Sequence, residues 1–162
     1  MGYPLICVWS RYVYVYRRVQ GYLRIIDCLN AEIHEASRII SNEALNNEDA
    51  KLLMTLSRVG FYSALLIVSE IGDVNRFPDS HNLDAYAGLA PSTRSSGGRT
   101  YHGRVMKTGS PYLRRVLNQC IRANLRSDPD GRMATFCARL ARKKGDAKAV
   151  VATSVKMLRI IY

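Results

Sequence analysis

Carboxylates nearly vanish from the second half of this chain. Beyond residue 93 only three Asp/Glu stand against sixteen Lys/Arg, whereas residues 1–93 carry ten Asp/Glu and eight Lys/Arg. The whole excess behind the formal charge of +11 therefore lies in the C-terminal part. Cysteine is also sparse: Cys7, Cys28, Cys120 and Cys137 are far apart, with no C-x-x-C pair, and read as reduced, structural thiols. His34, His81 and His102 are equally dispersed, so spacing argues for no zinc site and the chain is not expected to hold a metal or other cofactor by itself. Long apolar runs are missing. Leu5 to Trp9 is too short for a signal core and is soon followed by Arg11, Arg17 and Arg18, which predicts a cytoplasmic protein with no membrane partner. Met1-Gly2 lacks the Ser or Thr that myristoylation needs, because Ile6 stands there.

What is present is arginine. A concentrated basic field attracts polyanions over roughly 10 Å in moderate salt, and nucleic acid is the commonest polyanion in a cell. The alternative, a solvated basic surface, accounts better for scattered lysines than for the arginine-dominated half found here.

The chain is long enough for one compact domain plus an appendage. Tyr12-Val13-Tyr14-Val15-Tyr16 alternates like a strand but has no partner strand nearby, and residues 3–16 stay unassigned between helix and strand. Val19, Tyr22, Ile26, Leu29, Ile33, Ala36 and Ile40 fall on steps of three and four. This heptad seam is about three heptads long, which fits a dimer zipper, and hence a homo-oligomer, or an antiparallel hairpin within the domain. Polar residues Asn42 to Asp49 break it, placing a boundary between residues 1–47 and 48–162.

Beyond the boundary, the pattern predicts helices over Glu48 to Leu56 and Phe61 to Ile71, joined by Ser57-Arg58-Val59-Gly60. That turn suits a helix-hairpin-helix, where Gly60 lets backbone amides approach a DNA phosphate, and equally an ordinary αα-hairpin. A helix over about Ser80 to Ala87 follows. Ser110-Pro111 then opens a helix to about Arg126, with Leu113, Val116, Leu117, Cys120 and Ile121 inward and Arg115, Asn118, Gln119, Arg122 and Arg126 on the other side. Asp128-Pro129 starts a helix ending at Lys143-Lys144-Gly145, and Asp146 caps a last one through Ile161. The fold class is all-α.

Between two helical segments, Tyr86 to Gly109 mixes glycines with Ser92, Ser95 and Ser96 and with the cations Arg94, Arg99, Arg104 and Lys107. It reads as an anion-handling loop, because glycine admits close backbone approach and guanidinium forks match phosphate oxygens.

From Asp49 to Tyr162 the chain resembles the C-terminal serine domain of the insertion sequence 110 family of transposases. The resemblance rests on Ser63-Ala64-Leu65-Leu66, Ser69-Glu70-Ile71-Gly72-Asp73, Arg76-Phe77, Tyr86-Ala87-Gly88-Leu89-Ala90-Pro91, Ser96-Gly97-Gly98, Gly103-Arg104, Lys107-Thr108-Gly109 and Tyr112-Leu113-Arg114-Arg115. It implies an RNA-guided DNA recombinase in which Ser96 is the nucleophile, attacking a scissile phosphate to give a phosphoserine linkage. The DNA-binding set would be Arg94, Arg99, Arg104, Lys107, Arg114, Arg115 and Gly60. A bridge RNA would guide the reaction, and an RuvC-like domain would supply four acidic ligands for Mg²⁺. His102 is the local candidate for a base, against the plainer reading of a phosphate contact.

Departures accompany the match: Ser57-Arg58 replaces the family's Pro-Gly, Ser95 a glutamine, and Met106 a serine or threonine. No four-carboxylate segment precedes the seam, so the resemblance implies a truncated form, not active alone. It would work with a full-length transposase or a separate RuvC-like domain. The alternative is a catalytically inactive nucleic-acid-binding remnant or regulator of transposition.

Overall fold

The computed structural model describes the backbone of residues 5–96, 98–106 and 108–162, with side chains except those of 5–11, 94, 96, 99, 100 and 102. The first helix, α1, runs over Leu5–Asn46 without interruption. The Tyr12 to Tyr16 alternation is thus helical, not extended, and the whole Val19 to Ile40 seam lies on this one helix. With no second strand in reach, a helix satisfies the backbone within the segment itself. Residues 1–42 form one unit and 43–162 a second. In the first unit Val19, Tyr22, Ile26, Leu29 and Ile33 are all exposed. Cys28, read as a packed thiol, is exposed as well.

The second unit begins with α2, Glu48–Met54, N-capped by Asn47, whose side chain accepts from the Ala50 amide at 2.9 Å. A turn leads to α3, Phe61–Ile71. A single 3-10 turn at Val74–Arg76 precedes α4, Ser80–Tyr86, which Asp79 caps by accepting from the Asn82 amide. The stretch read as a loop is then a β-hairpin, β1 over Pro91–Ser96 and β2 over Arg99–Val105. Three helices complete the chain: α5, Pro111–Ser127; α6, Arg132–Lys144; and α7, Asp146–Ile161. The fold class is all-α, with one two-stranded sheet among the described residues. None of the described helices is long and apolar enough to cross a membrane.

The core lies where α3, α5 and α7 meet. Ile67, Leu113, Val116, Leu117, Ile121 and Leu158 are essentially sealed from solvent, each such side chain contributing about 1.5–3 kcal/mol by leaving water. The inward stripe expected on α5 is therefore found in place. Asn118, expected opposite it, instead faces α7: its side chain donates to the Arg114 carbonyl at 2.8 Å and accepts from the Ser154 hydroxyl at 3.0 Å. Burial pushes the Cys120 thiol up from its ordinary value, against a hydrogen bond with Ser63 of α3 that pulls the other way.

Candidate nucleic-acid interface

The hairpin owes its form to its register. Pro91 pairs with Val105, Thr93 with His102, Arg94 with Tyr101, Ser95 with Thr100 and Ser96 with Arg99, with a bulge between Pro91 and Thr93. A tip of two glycines, Gly97 and Gly98, is what a tight hairpin selects, and Gly98 takes φ 75°, a conformation costly for other residues. Gly97 and Lys107 lie outside the described residues. Ser96, Arg94, Arg99 and His102 have described backbones only, which place Ser96 and Arg99 opposite each other beside the tip.

The foot of the hairpin is bonded into the helical body. Met106 donates its amide to the Ala90 carbonyl at 2.9 Å, Leu89 donates to the Asp84 carbonyl at 2.9 Å, and Ser110 to the Tyr86 carbonyl at 2.8 Å. Ser110 is the hub: its hydroxyl accepts from the Leu113 amide as the α5 N-cap and donates to Glu70 Oε2 at 2.6 Å. A carboxylate beside a helix N-terminus is favoured by the exposed amides there. Tyr86 donates its hydroxyl to the Glu70 carbonyl at 3.1 Å, and the Arg76 guanidinium lies 4.7 Å from the ring centroids of both Phe77 and Tyr86. Here glycine is needed for room. A Cβ on Gly109 would collide with the Tyr86 carbonyl oxygen and the Gly88 amide. One on Gly88, at φ 64°, would press on the Arg114 guanidinium. Gly103 likewise leaves space for the Ser92 hydroxyl.

The candidate contacts divide accordingly. Arg104 on β2 and Arg115 on α5 are exposed, with no ion-pair partner among the described residues. Arg114 is partly buried, and its Nη1 is enclosed without a hydrogen-bond partner among the described residues, tucked under Gly88. It belongs to the foot of the hairpin rather than to its open face. Gly60 is exposed at the N-cap of α3, with no side-chain cap bond. Among the described residues no group of three His, Cys, Asp or Glu side chains is placed to hold a metal ion.

Two ties escaped sequence reasoning. One is Glu70 to Ser110. The other is Asp84, fully buried on α4, whose Oδ2 accepts from Arg159 Nε at 2.8 Å and Nη2 at 2.7 Å. Their partners are 40 and 75 residues away, beyond the reach of periodicity. A buried carboxylate demands a cation, but sequence does not say which one.

Comparison with known proteins finds transposases among the relatives of this chain. Over 148 residues the chain is 28% identical to the transposase for insertion sequence element IS1111A of Coxiella burnetii, covering 86% of this chain and 41% of that protein. It is 33% identical over 91 residues to the transposase for IS1328 of Yersinia enterocolitica, covering 56% of this chain and 27% of that protein. A third relative is the mini-circle putative transposase for IS117 of Streptomyces coelicolor, 30% identical over 83 residues, or 51% of this chain and 20% of that protein. The chain thus spans less than half the length of each of these relatives. The sequence model described as Transposase IS116/IS110/IS902 family matches residues 50–136, which run from α2 across the hairpin into α6, and the chain belongs to that family.

Proposed function

We propose that this chain supplies the phosphodiester-handling domain of a DNA transposase, with Ser96 as the nucleophile of strand exchange. The observation that carries the reading is the hairpin. Ser96 stands paired with Arg99 beside a glycine tip, on strands whose foot is bonded into the core through Glu70, Tyr86 and Ser110. A rigid foot and a cationic tip are what a backbone-gripping element requires, since positioning costs little when the scaffold is already ordered. In the proposed step a bond forms from Ser96 Oγ to phosphorus and one bridging P–O bond breaks. The serine proton passes to a base, for which His102 is the local candidate, and the departing strand oxygen takes up a proton. Arg94, Arg99, Arg104 and Lys107 offset the charge that builds on the phosphorane.

The described residues build no cage for Mg²⁺. An RuvC-like domain, on this or another polypeptide, is the proposed source of the acidic ligands, and a bridge RNA the proposed guide. Arg115 and the amides at the start of α3 beside Gly60 are proposed as further backbone contacts, the latter in the manner of a helix-hairpin-helix. The exposed seam from Val19 to Ile33 supports pairing of α1 with a second copy or with a full-length transposase.

The deciding experiment incubates the chain with branched DNA, with and without the metal-binding domain of a relative, and maps any covalent adduct. An adduct on Ser96, abolished by Ser96→Ala, is the expected result. Salt-dependent binding with no adduct in either mixture would leave a nucleic-acid-binding module and remove the catalytic role.

A further inference from the structure

We propose that the cleft between α6 and α7 is a second seat for nucleic-acid backbone, separate from the hairpin and holding one sugar-phosphate unit. This rests on the reading that the domain binds DNA. The cleft is a shallow, open depression of about 400 Å³ lined by Asp130, Arg132, Thr135, Phe136, Arg139 and Lys156. Phe136 forms its half-buried floor. The Lys156 ammonium lies 4.3 Å from the ring centroid and the Arg139 guanidinium 5.6 Å from it.

Those contacts separate the cleft from a merely basic surface. Lysine and arginine on open helix faces sample many rotamers, and ordering them on a ligand costs entropy. Here two cations from different helices are already drawn to one ring, which attracts them without neutralising their charge. Neither they nor Arg132 reaches a carboxylate within ion-pair distance among the described residues. The α6 helix contains no acidic residue at all, and Asp130 is the one acid in the lining. An apolar ring flanked by unpaired cations matches a nucleic-acid backbone. The sugar offers C–H groups to the ring, and the phosphate beside it offers oxygens to Lys156 and Arg139. Asp130 disfavours phosphate at the opposite end, and so gives the seat a direction. Because it reads no bases, this contact contributes affinity and orientation rather than sequence choice.

The test follows the affinity of the whole chain for a short mixed-sequence DNA duplex as salt is raised, by fluorescence anisotropy. Arg139→Ala/Lys156→Ala is compared with Arg38→Ala/Lys51→Ala, which removes the same charge from residues paired with Glu35 and Glu48. The cleft variant is expected to bind roughly tenfold more weakly, with a log–log salt slope shallower by about 1, for the one phosphate the seat holds. The control pair should barely move, and Lys156→Arg should retain most of the affinity. A cleft variant indistinguishable from the control, beside salt-dependent wild-type binding, overturns this proposal and leaves the hairpin reading intact. If wild type shows no salt-dependent binding, both readings fall. A weakened cleft variant beside an Arg104→Ala variant that binds with wild-type affinity supports the cleft and counts against the hairpin. Should the double variant melt early, acetylation of the wild-type chain decides: duplex must shield Lys156 more than Lys51, and equal labelling of Lys156 with and without duplex overturns the seat.

Discussion

Two turns of this molecule, the hairpin connection over 88–109 and the α2–α3 turn over 57–60, invite the same reading from sequence: glycine placed so that backbone can approach a phosphate. Their geometries part company. At the foot of the hairpin, Gly109 and Gly88 have neighbours where a side chain would be. At the α2–α3 turn a Cβ on Gly60 would meet nothing within 4 Å, and its φ of −86° suits any residue. The residue there in left-handed conformation is Arg58, at φ 68°. Glycine in the first turn is set by packing, and in the second it is free for some other purpose. Glycine content alone does not separate the two.

The comparison breaks most visibly at Gly109. Gly109→Ala drives a methyl into the Tyr86 carbonyl and the Gly88 amide; the first cannot move without losing the bond it accepts from Ser110, nor the second without losing the bond it donates to the Ala85 carbonyl. We expect a loss of about 3 kcal/mol or more, beyond the usual cost of overpacking because backbone rather than side chain must yield. Chemical denaturation measures it. A variant as stable as wild type would show that the foot is soft and that its bonds do not position Ser96.

Next in size is the Asp84–Arg159 pair, which joins the start of the hairpin connection to the end of α7. Asp84 has a side chain 1% exposed and Arg159 one 51% exposed, so the two truncations differ. Arg159→Ala strands a buried carboxylate and should cost about 2–3 kcal/mol, less than a fully buried pair because water reaches the site. Asp84→Ala releases an arginine that water can solvate and should cost less. Equal losses from the two variants would refute the asymmetry. His81 Nδ1 lies 3.9 Å from Asp84 Oδ2, beyond hydrogen-bond distance.

Much of this was legible beforehand, for reasons that are themselves physical. The α5 stripe, the Ser110 cap and the C-terminal end of α6 follow from local rules, namely 3.6-residue periodicity, a hydroxyl before proline, and glycine after lysines; α6, however, begins at Arg132 rather than at Asp128-Pro129, and Gly145 rather than Asp146 is the N-cap of α7. The hairpin escaped because its strands are polar and glycine-rich, so no alternating apolar face announces it. Its pairing is fixed by the two-glycine tip and the anchored foot instead. The same blindness covered Glu70 and Asp84, whose roles depend on partners brought in by tertiary packing. At the candidate site the residues that could touch a backbone were nameable from charge and resemblance. Arg114 was the exception, since only the fold reveals that Gly88 lies over it.

A smaller, pH-dependent effect tests how dry the α3–α5 contact is. The folded-state pKa of Cys120 is raised, chiefly by burial, so in alkali the unfolded chain ionises first. The stabilisation is fully present below the unfolded thiol value and is lost as pH climbs past about 8.5. Wild type should therefore lose more stability than Cys120→Ala between neutral and alkaline pH. Iodoacetamide should reach exposed Cys28 well before Cys120. Equal alkylation rates would mean that the core opens readily at this point.

The smallest changes in stability carry the sharpest test of the α2–α3 turn. Arg58→Gly relieves a left-handed residue but adds freedom to the unfolded chain, and the two nearly offset, leaving a gain of about 0.5 kcal/mol. Gly60→Ala should shift stability by less than about 0.5 kcal/mol either way, since its φ is ordinary and the space beside it is open. Stability is thus decoupled from function at Gly60, which is not so at Gly88 or Gly109. If the amides at the start of α3 do meet a phosphate, the added methyl holds the backbone off, and Gly60→Ala should bind duplex DNA severalfold more weakly with an unchanged melting curve. Unchanged binding would make the turn an ordinary αα-hairpin and leave the hairpin over 91–105 as the one of the two turns still proposed to grip DNA.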